Sequence, residues 1–141
     1  MKSEKRNRVV EIRRTFRGIV PNVPFENIAR SILGARYDLS LVLCGDALAR
    51  KMNRNYRLPS LKLRRARKKN YAPNVLSFSL GKNEGEIFLN VQTARREAKK
   101  YDVALRARFV LLFAHGCLHL AGLRHGKRMD SEVSKYLRRF G

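Results

Sequence analysis

Acidic side chains are scarce in this chain. It carries 11 Asp and Glu against 32 Lys and Arg, a formal net charge of +21 over 141 residues. That much like charge opposes the compact state by self-repulsion, and it exceeds what solubility alone calls for. Long apolar runs are missing too. The longest candidate, Phe109 to Ala114, stops at His115, well short of the roughly 18 residues a membrane span requires. The first residues, MKSEKRNRVVEIRR, are basic with no apolar stretch behind them, which argues against a secretory signal and sets a soluble cytoplasmic protein as the expectation. Cysteine is limited to Cys44 and Cys117. Far apart and outside any CxxC pair, they provide no disulfide framework and read as small apolar residues in a reducing compartment. A basic amphipathic helix with an aromatic apolar face is absent as well, which counts against an anionic membrane as partner.

What remains is a chain of one-domain size, 44% hydrophobic, able to bury a core without covalent staples. Its excess of cations fits nucleic acid, where phosphate contacts release counterions. A solvated basic surface is the competing explanation.

The pattern alternates strand and helix signals. Arg8 to Phe16 alternates, with Val10, Ile12 and Phe16 on one side, as a basic strand does. After Pro21 and Pro24 a short helix is expected to carry Phe25, Ile28, Ala29 and Ile32 and to end at Gly34. Leu39 to Cys44 reads as a strand with Leu39, Leu41 and Leu43 on one face. Asp46 then suits the N-cap of a helix carrying Leu48, Met52 and Tyr56. Leu58 to Asn70 is an irregular basic stretch, a loop or a short helix. Val75 to Leu80 reads as a strand, turned by Gly81 to Gly85 into an antiparallel partner at Glu86 to Leu89. Asn90 is placed to cap a helix bearing Val91, Ala94, Ala98 and Tyr101. A last long helix is expected from about Ala104 to Ala121, stopped by Gly122. The fold class is therefore mixed α/β (α+β), a single domain over 1–141 with a basic loop at about 58–70.

All three histidines fall in one segment, HGCLHLAGLRH. His115 and His119, four residues apart on a helix, share a face and lie about 6 Å apart along its axis. Gly122 lets the chain turn back so that His125 approaches the same point. The spacing HxxxHxxGxxH is that of the metzincin zinc-binding segment, whose glutamate is replaced here by Gly116. The ligands are present and the protease's general base is missing, which tells against peptide hydrolysis by that route. Three neutral imidazoles suit a single Zn2+ with an open position, since a structural zinc more often closes its shell with a fourth protein ligand. Nickel and iron also accept imidazole.

These motifs resemble the YbeY endoribonucleases, also described as ribosomal RNA maturation factors. The family's HGxLHLxGYDH is matched at most fixed positions by residues 115 to 125. Its LNxxYR is echoed by Met52-Asn53-Arg54-Asn55-Tyr56-Arg57, its TDVLSF by Asn74-Val75-Leu76-Ser77-Phe78, and its GDI by Gly85-Glu86-Ile87. The resemblance covers roughly residues 40 to 130. It implies a four-stranded sheet packed with helices, one zinc ion on His115, His119 and His125, and cleavage of single-stranded RNA. It further implies a place in 16S rRNA 3′-end maturation and ribosome quality control, hence ribosomal particles as partners and no membrane. The family's active arginine carries over to Arg57, as a group that neutralises the phosphate. Lys62, Arg64, Arg65, Arg67, Lys68 and Lys69 would guide the RNA backbone, unless they form only a solvated mobile loop. Arg124 and Asn74 stand where the family has aspartate, Pro73 replaces a threonine, and the stretch between Arg57 and Pro73 is longer than usual. Two rivals accompany this reading: a non-catalytic RNA- or ribosome-binding protein that keeps a metal, and a metalloprotease, which Gly116 disfavours.

Overall fold

In a computed structural model the protein is described over residues 8–57 and 71–141. Among these residues four strands form one sheet, β1 (Val10–Arg14), β2 (Asp38–Cys44), β3 (Val75–Gly81) and β4 (Glu84–Asn90), in the order β1-β2-β4-β3. β1, β2 and β4 run parallel, and β3 returns antiparallel on β4. Five α-helices accompany them: α1 (Phe25–Leu33), α2 (Asp46–Met52), α3 (Val91–Lys100), α4 (Leu105–Leu120) and α5 (Lys127–Phe140). The expected mixed α/β fold with a four-stranded sheet is what the chain adopts.

The central strands explain the packing. β2 reads DLSLVLC and is buried along most of its length, as a strand covered on both faces must be. On one face Leu39, Leu41, Leu43, Ile87 and Leu89 meet Phe109, Phe113, Ala114 and Cys117 of α4 in the main core. Phe25 of α1 joins edge-on to Phe113, with ring centres 4.9 Å apart. On the other face Val42, Cys44, Leu76 and Phe88 are covered by Ala49, Leu48 and Met52 of α2. β1 is an edge strand, tied to α1 where the Glu26 carboxylate accepts the N–H groups of Val9 and Val10 at 2.8–3.0 Å.

Several expectations shift in detail. Ile12 shares a face with Val10 yet is 47% exposed, because α1 covers only the start of the edge strand. Asp46 is the first residue of α2 rather than its cap. Gly45 takes the cap position, and the N–H of Asp46 donates to Gln92 Oε1 at 2.8 Å. The β3–β4 turn is tighter than expected, so Glu84 and Gly85 already belong to β4. Asn90 caps α3 as expected, accepting from Thr93 N, but Tyr101 lies outside the core with its ring flanked by Lys100 and Arg108. α4 is not the last helix. α5 follows it, with Met129 and Val133 buried and Leu137 packed beside them.

Candidate metal centre

The C-terminal half of α4 lies against the β3–β4 hairpin at very short range. A Cβ on Gly116 would stand 3.0 Å from Ser77 Oγ, 3.1 Å from Ile87 Cδ1 and 3.3 Å from Val75 Cγ2. Ser77 Oγ also donates to the Gly116 carbonyl at 3.0 Å. Where the protease motif has glutamate, this helix is therefore pressed onto the sheet, and a longer side chain has no room. With Gly116 and Cys117 turned inwards and buried, His115 and His119 are left half-buried at the side of the helix.

The turn that follows supplies the third histidine. The N–H of Gly122 donates to His119 O and that of Leu123 to Leu118 O, each at 3.0 Å. This pair of bonds is the Schellman ending, which needs a left-handed residue just past the helix. Gly122 provides it with φ 99°, and Leu123 packs in the cluster that holds Leu118 and Met129. The chain thereby doubles back and lays the exposed His125 beside the other two. Ring centres are 4.5 Å apart for His115–His119, 4.6 Å for His119–His125 and 5.0 Å for His115–His125. One ligand nitrogen from each ring lies within 4.8 Å of the others.

The donor set fits a divalent metal. A ligand imidazole must be neutral, and burial, aided by the neighbouring His119 and His125, pulls the His115 pKa down to about 4. Neither a carboxylate nor a thiol belongs to the group. Cys117 is fully buried in the core, where desolvation pushes its thiol far up. Cys44, whose thiol burial lifts to about 12, belongs to the cluster on the opposite face of the sheet. Both cysteines are free and buried, as core residues should be.

The remaining expected site residues fare differently. Arg57 ends a short π-helical turn, Asn53–Arg57, that continues α2. Lys62, Arg64, Arg65, Arg67, Lys68 and Lys69 lie outside the described residues. Sequence reasoning missed Asp130, one turn into α5, whose negative charge works on His115 against the other influences. The apolar spacing of Met129, Val133, Tyr136, Leu137 and Phe140 is the signal that reveals α5 and hence this residue.

Fold and histidines together define a class: an α/β domain whose helix and turn bring together three imidazoles that could hold a metal ion. No helix among the described residues is long and apolar enough to cross a membrane. The chain belongs to the endoribonuclease YbeY family, whose model matches residues 2–140. Relatives named endoribonuclease YbeY include one from Geobacter sulfurreducens, 30% identical over 121 residues, with 77% of this chain and 74% of the relative aligned. Another, from Aromatoleum aromaticum, is 36% identical over 71% of this chain and 60% of its own length. A third, from Mesoplasma florum, is 31% identical over 79% of this chain and 72% of the relative. Some relatives extend well past the aligned part, which spans only 32% of the Myxococcus xanthus protein. A Thermotoga maritima protein solved in solution shares the fold at a TM-score of 0.61 and 19% identity, over 91% of this chain and 87% of that one.

Proposed function

We propose that this chain, acting as one domain over residues 1–141, is a zinc-dependent endoribonuclease that cuts single-stranded RNA. Its setting is 16S rRNA 3′-end maturation and ribosome quality control in the cytoplasm, with ribosomal particles as partners. The observation that carries the reading is the convergence of three imidazole nitrogens within 4.8 Å, with neither acid nor thiol in the group. Such a set leaves a bound dication its full charge and a position for substrate or water. Bound there, zinc supplies Lewis acidity toward a phosphodiester oxygen and toward the attacking water.

The chain's own residues do the rest. Burial keeps His115 uncharged at neutral pH, so it offers a lone pair rather than a proton. The exposed His125 completes the set while leaving the centre open to a polymer. Arg57 neutralises the phosphate with its planar fork of donors, and the basic residues Lys62 to Lys69 guide the strand toward it. The tight packing of Gly116 against Ser77, Ile87 and Val75 supports hydrolysis of RNA over peptide, because the carboxylate a zinc protease uses has no space at that position.

The test is metal analysis of the purified protein beside the variants His119→Ala and Arg57→Ala, all assayed on single-stranded and structured RNA. One zinc per chain and metal-restored cleavage are expected for the parent. His119→Ala should lose both, and Arg57→Ala should keep the metal and lose cleavage. Stoichiometric zinc with no cleavage by nuclease-free protein would instead establish an RNA-binding protein with a structural metal.

A further inference from the structure

Far from the histidines, β1 leaves the sheet through a short loop with its own architecture. Arg14, Thr15, Phe16, Arg17 and Gly18 line a shallow recess of about 460 Å³. Thr15 N donates to Leu43 O at 3.0 Å, which fixes the loop at the carboxyl end of the parallel strands. The His-bearing end of α4 meets the other end of the sheet, where Leu120 packs on Gly85. The recess thus lies at the β1 edge of the sheet, whereas the helix that bears His115 and His119 packs against the β3–β4 hairpin at the other edge.

The loop depends on Gly18. A Cβ there would stand 2.6 Å from the Phe16 ring and 3.0 Å from an Arg95 nitrogen, at φ 155°. Phe16 itself reaches back to Gly45, where an added Cβ would meet it at 3.2 Å.

The cations around the recess are held in a distinctive way. Arg95 stacks 5.8 Å from the centre of the Phe16 ring and donates to the Ile19 carbonyl at 2.7 Å. Arg14 donates to the Gly18 carbonyl. Both guanidiniums are thus positioned by neutral partners, which orient a charge without cancelling it. The contrast is with Arg13, Arg30, Arg96 and Arg108, each paired with a carboxylate. Arg17 is exposed and, among the described residues, makes no hydrogen bond or ion pair. Asp46, which follows Gly45, is already engaged by Arg96, Asn90 and Thr93. Oriented, uncompensated guanidiniums around a concavity are what a phosphate requires.

We infer that this recess, made by Arg14 to Gly18 with Arg95 stacked on Phe16 beside it, is a second phosphate-binding site that grips the RNA backbone away from the histidine centre. It rests on the reading of RNA as substrate, and it means the protein holds a strand at two points, one beside β1 and one beside the β3–β4 hairpin. Each phosphate neutralised on a single strand contributes about 0.7 to the salt slope of binding. The Arg14→Gln/Arg17→Gln variant should therefore lower that slope by about 0.7–1.4 and weaken binding about 5- to 25-fold near 0.1 M salt. Because Arg17 is exposed and, among the described residues, makes no hydrogen bond or ion pair, Arg17→Gln alone serves as the variant that should fold as the parent does, and it should carry part of the effect.

The experiment is RNA binding across a salt series with a chelator present to prevent cleavage, alongside amide-shift titrations with a single-stranded RNA, inorganic phosphate and polyglutamate. RNA should move the Thr15 to Gly18 amides, and the slope should fall in both variants. An unchanged slope in folded variants overturns the inference. So does a response of these amides to phosphate or polyglutamate without one to RNA, which would assign the recess to a free anion or an acidic protein. Cleavage with an unaltered slope sinks this site and leaves the nuclease reading standing, whereas binding through the recess without cleavage does the reverse.

Discussion

Two polar clusters flank the same sheet, and they are built on opposite principles. At the carboxyl end of β2 and β4, Asp46 Oδ1 accepts from Asn90 Nδ2 at 2.8 Å, Thr93 Oγ1 at 3.0 Å and Arg96 Nη2 at 2.8 Å. Donors and acceptors answer one another, the fully buried Asn90 also reaches the Pro73 carbonyl, and the Arg96 hydrogen bond holds the Asp46 carboxyl down to about 2. Beside the β3–β4 hairpin three bases are crowded together, with His115 Nε2 and His119 Nε2 only 2.9 Å apart, and among the described residues no acid joins the group. A cluster that satisfies itself ties elements together. A cluster of like groups whose ligand nitrogens converge within 4.8 Å could hold a metal ion instead.

The sharpest way to break this comparison is to remove one member from each. His119→Ala should lower cleavage by at least about a hundredfold, a ligand mattering no less than the groups that orient ligands. Its metal-free stability should fall by about 1 kcal/mol, the ordinary cost of truncating a half-buried side chain, here one that meets His115 and His125. Equal loss of stability in the metal-free form would make the histidines a structural knot like the other. A substitution on the sheet side of the same helix should hit stability hardest. Gly116→Glu must open the helix–sheet contact and bury a carboxylate, for about 3 kcal/mol or more, read from the urea midpoint. Asp46→Ala should cost about 2–3 kcal/mol, since three charge-assisted bonds vanish and Asn90 loses a buried partner. Metal content should not change, and if it did, the two clusters would be coupled.

The smallest effect is in acid, where the clusters should separate by pH. The His115 pKa drops from 6.5 to about 4 on folding, so the unfolded chain binds the extra proton between these values. Metal-free stability should therefore be full above about 6.5 and decline as the pH falls toward 4. Asp46, lowered from 3.8 to about 2, contributes fully above 3.8 and loses its contribution only as the pH falls toward 2. Because His115 is half-exposed, solvent screening shrinks its share to about 1 kcal/mol or less. Denaturant titrations of His115→Gln and Asp46→Asn, each compared with the parent across pH 2–8, check whether each variant flattens only its own limb.

Local chemistry made much of this protein legible from residues alone. Leu39, Leu41 and Leu43 alternate because one face of β2 is core, Asn90 caps α3 by a bond three residues long, and His115 and His119 share a helix face by periodicity. Gly122 announces the turn that brings His125 round, since few other residues accept that backbone angle. These are short-range consequences of geometry, carried within a few residues of chain. What tertiary structure alone decided involves partners far apart in sequence. Ile12 is exposed because β1 is the edge. Asp46 serves Arg96, fifty residues away, rather than its own helix. Gly116 is glycine because β3 lies against it, and the recess at Gly18 exists because Arg95 reaches across from α3. A side chain's type reports what it can do, but whether its charge is cancelled, oriented or left open depends on which distant elements fold against it.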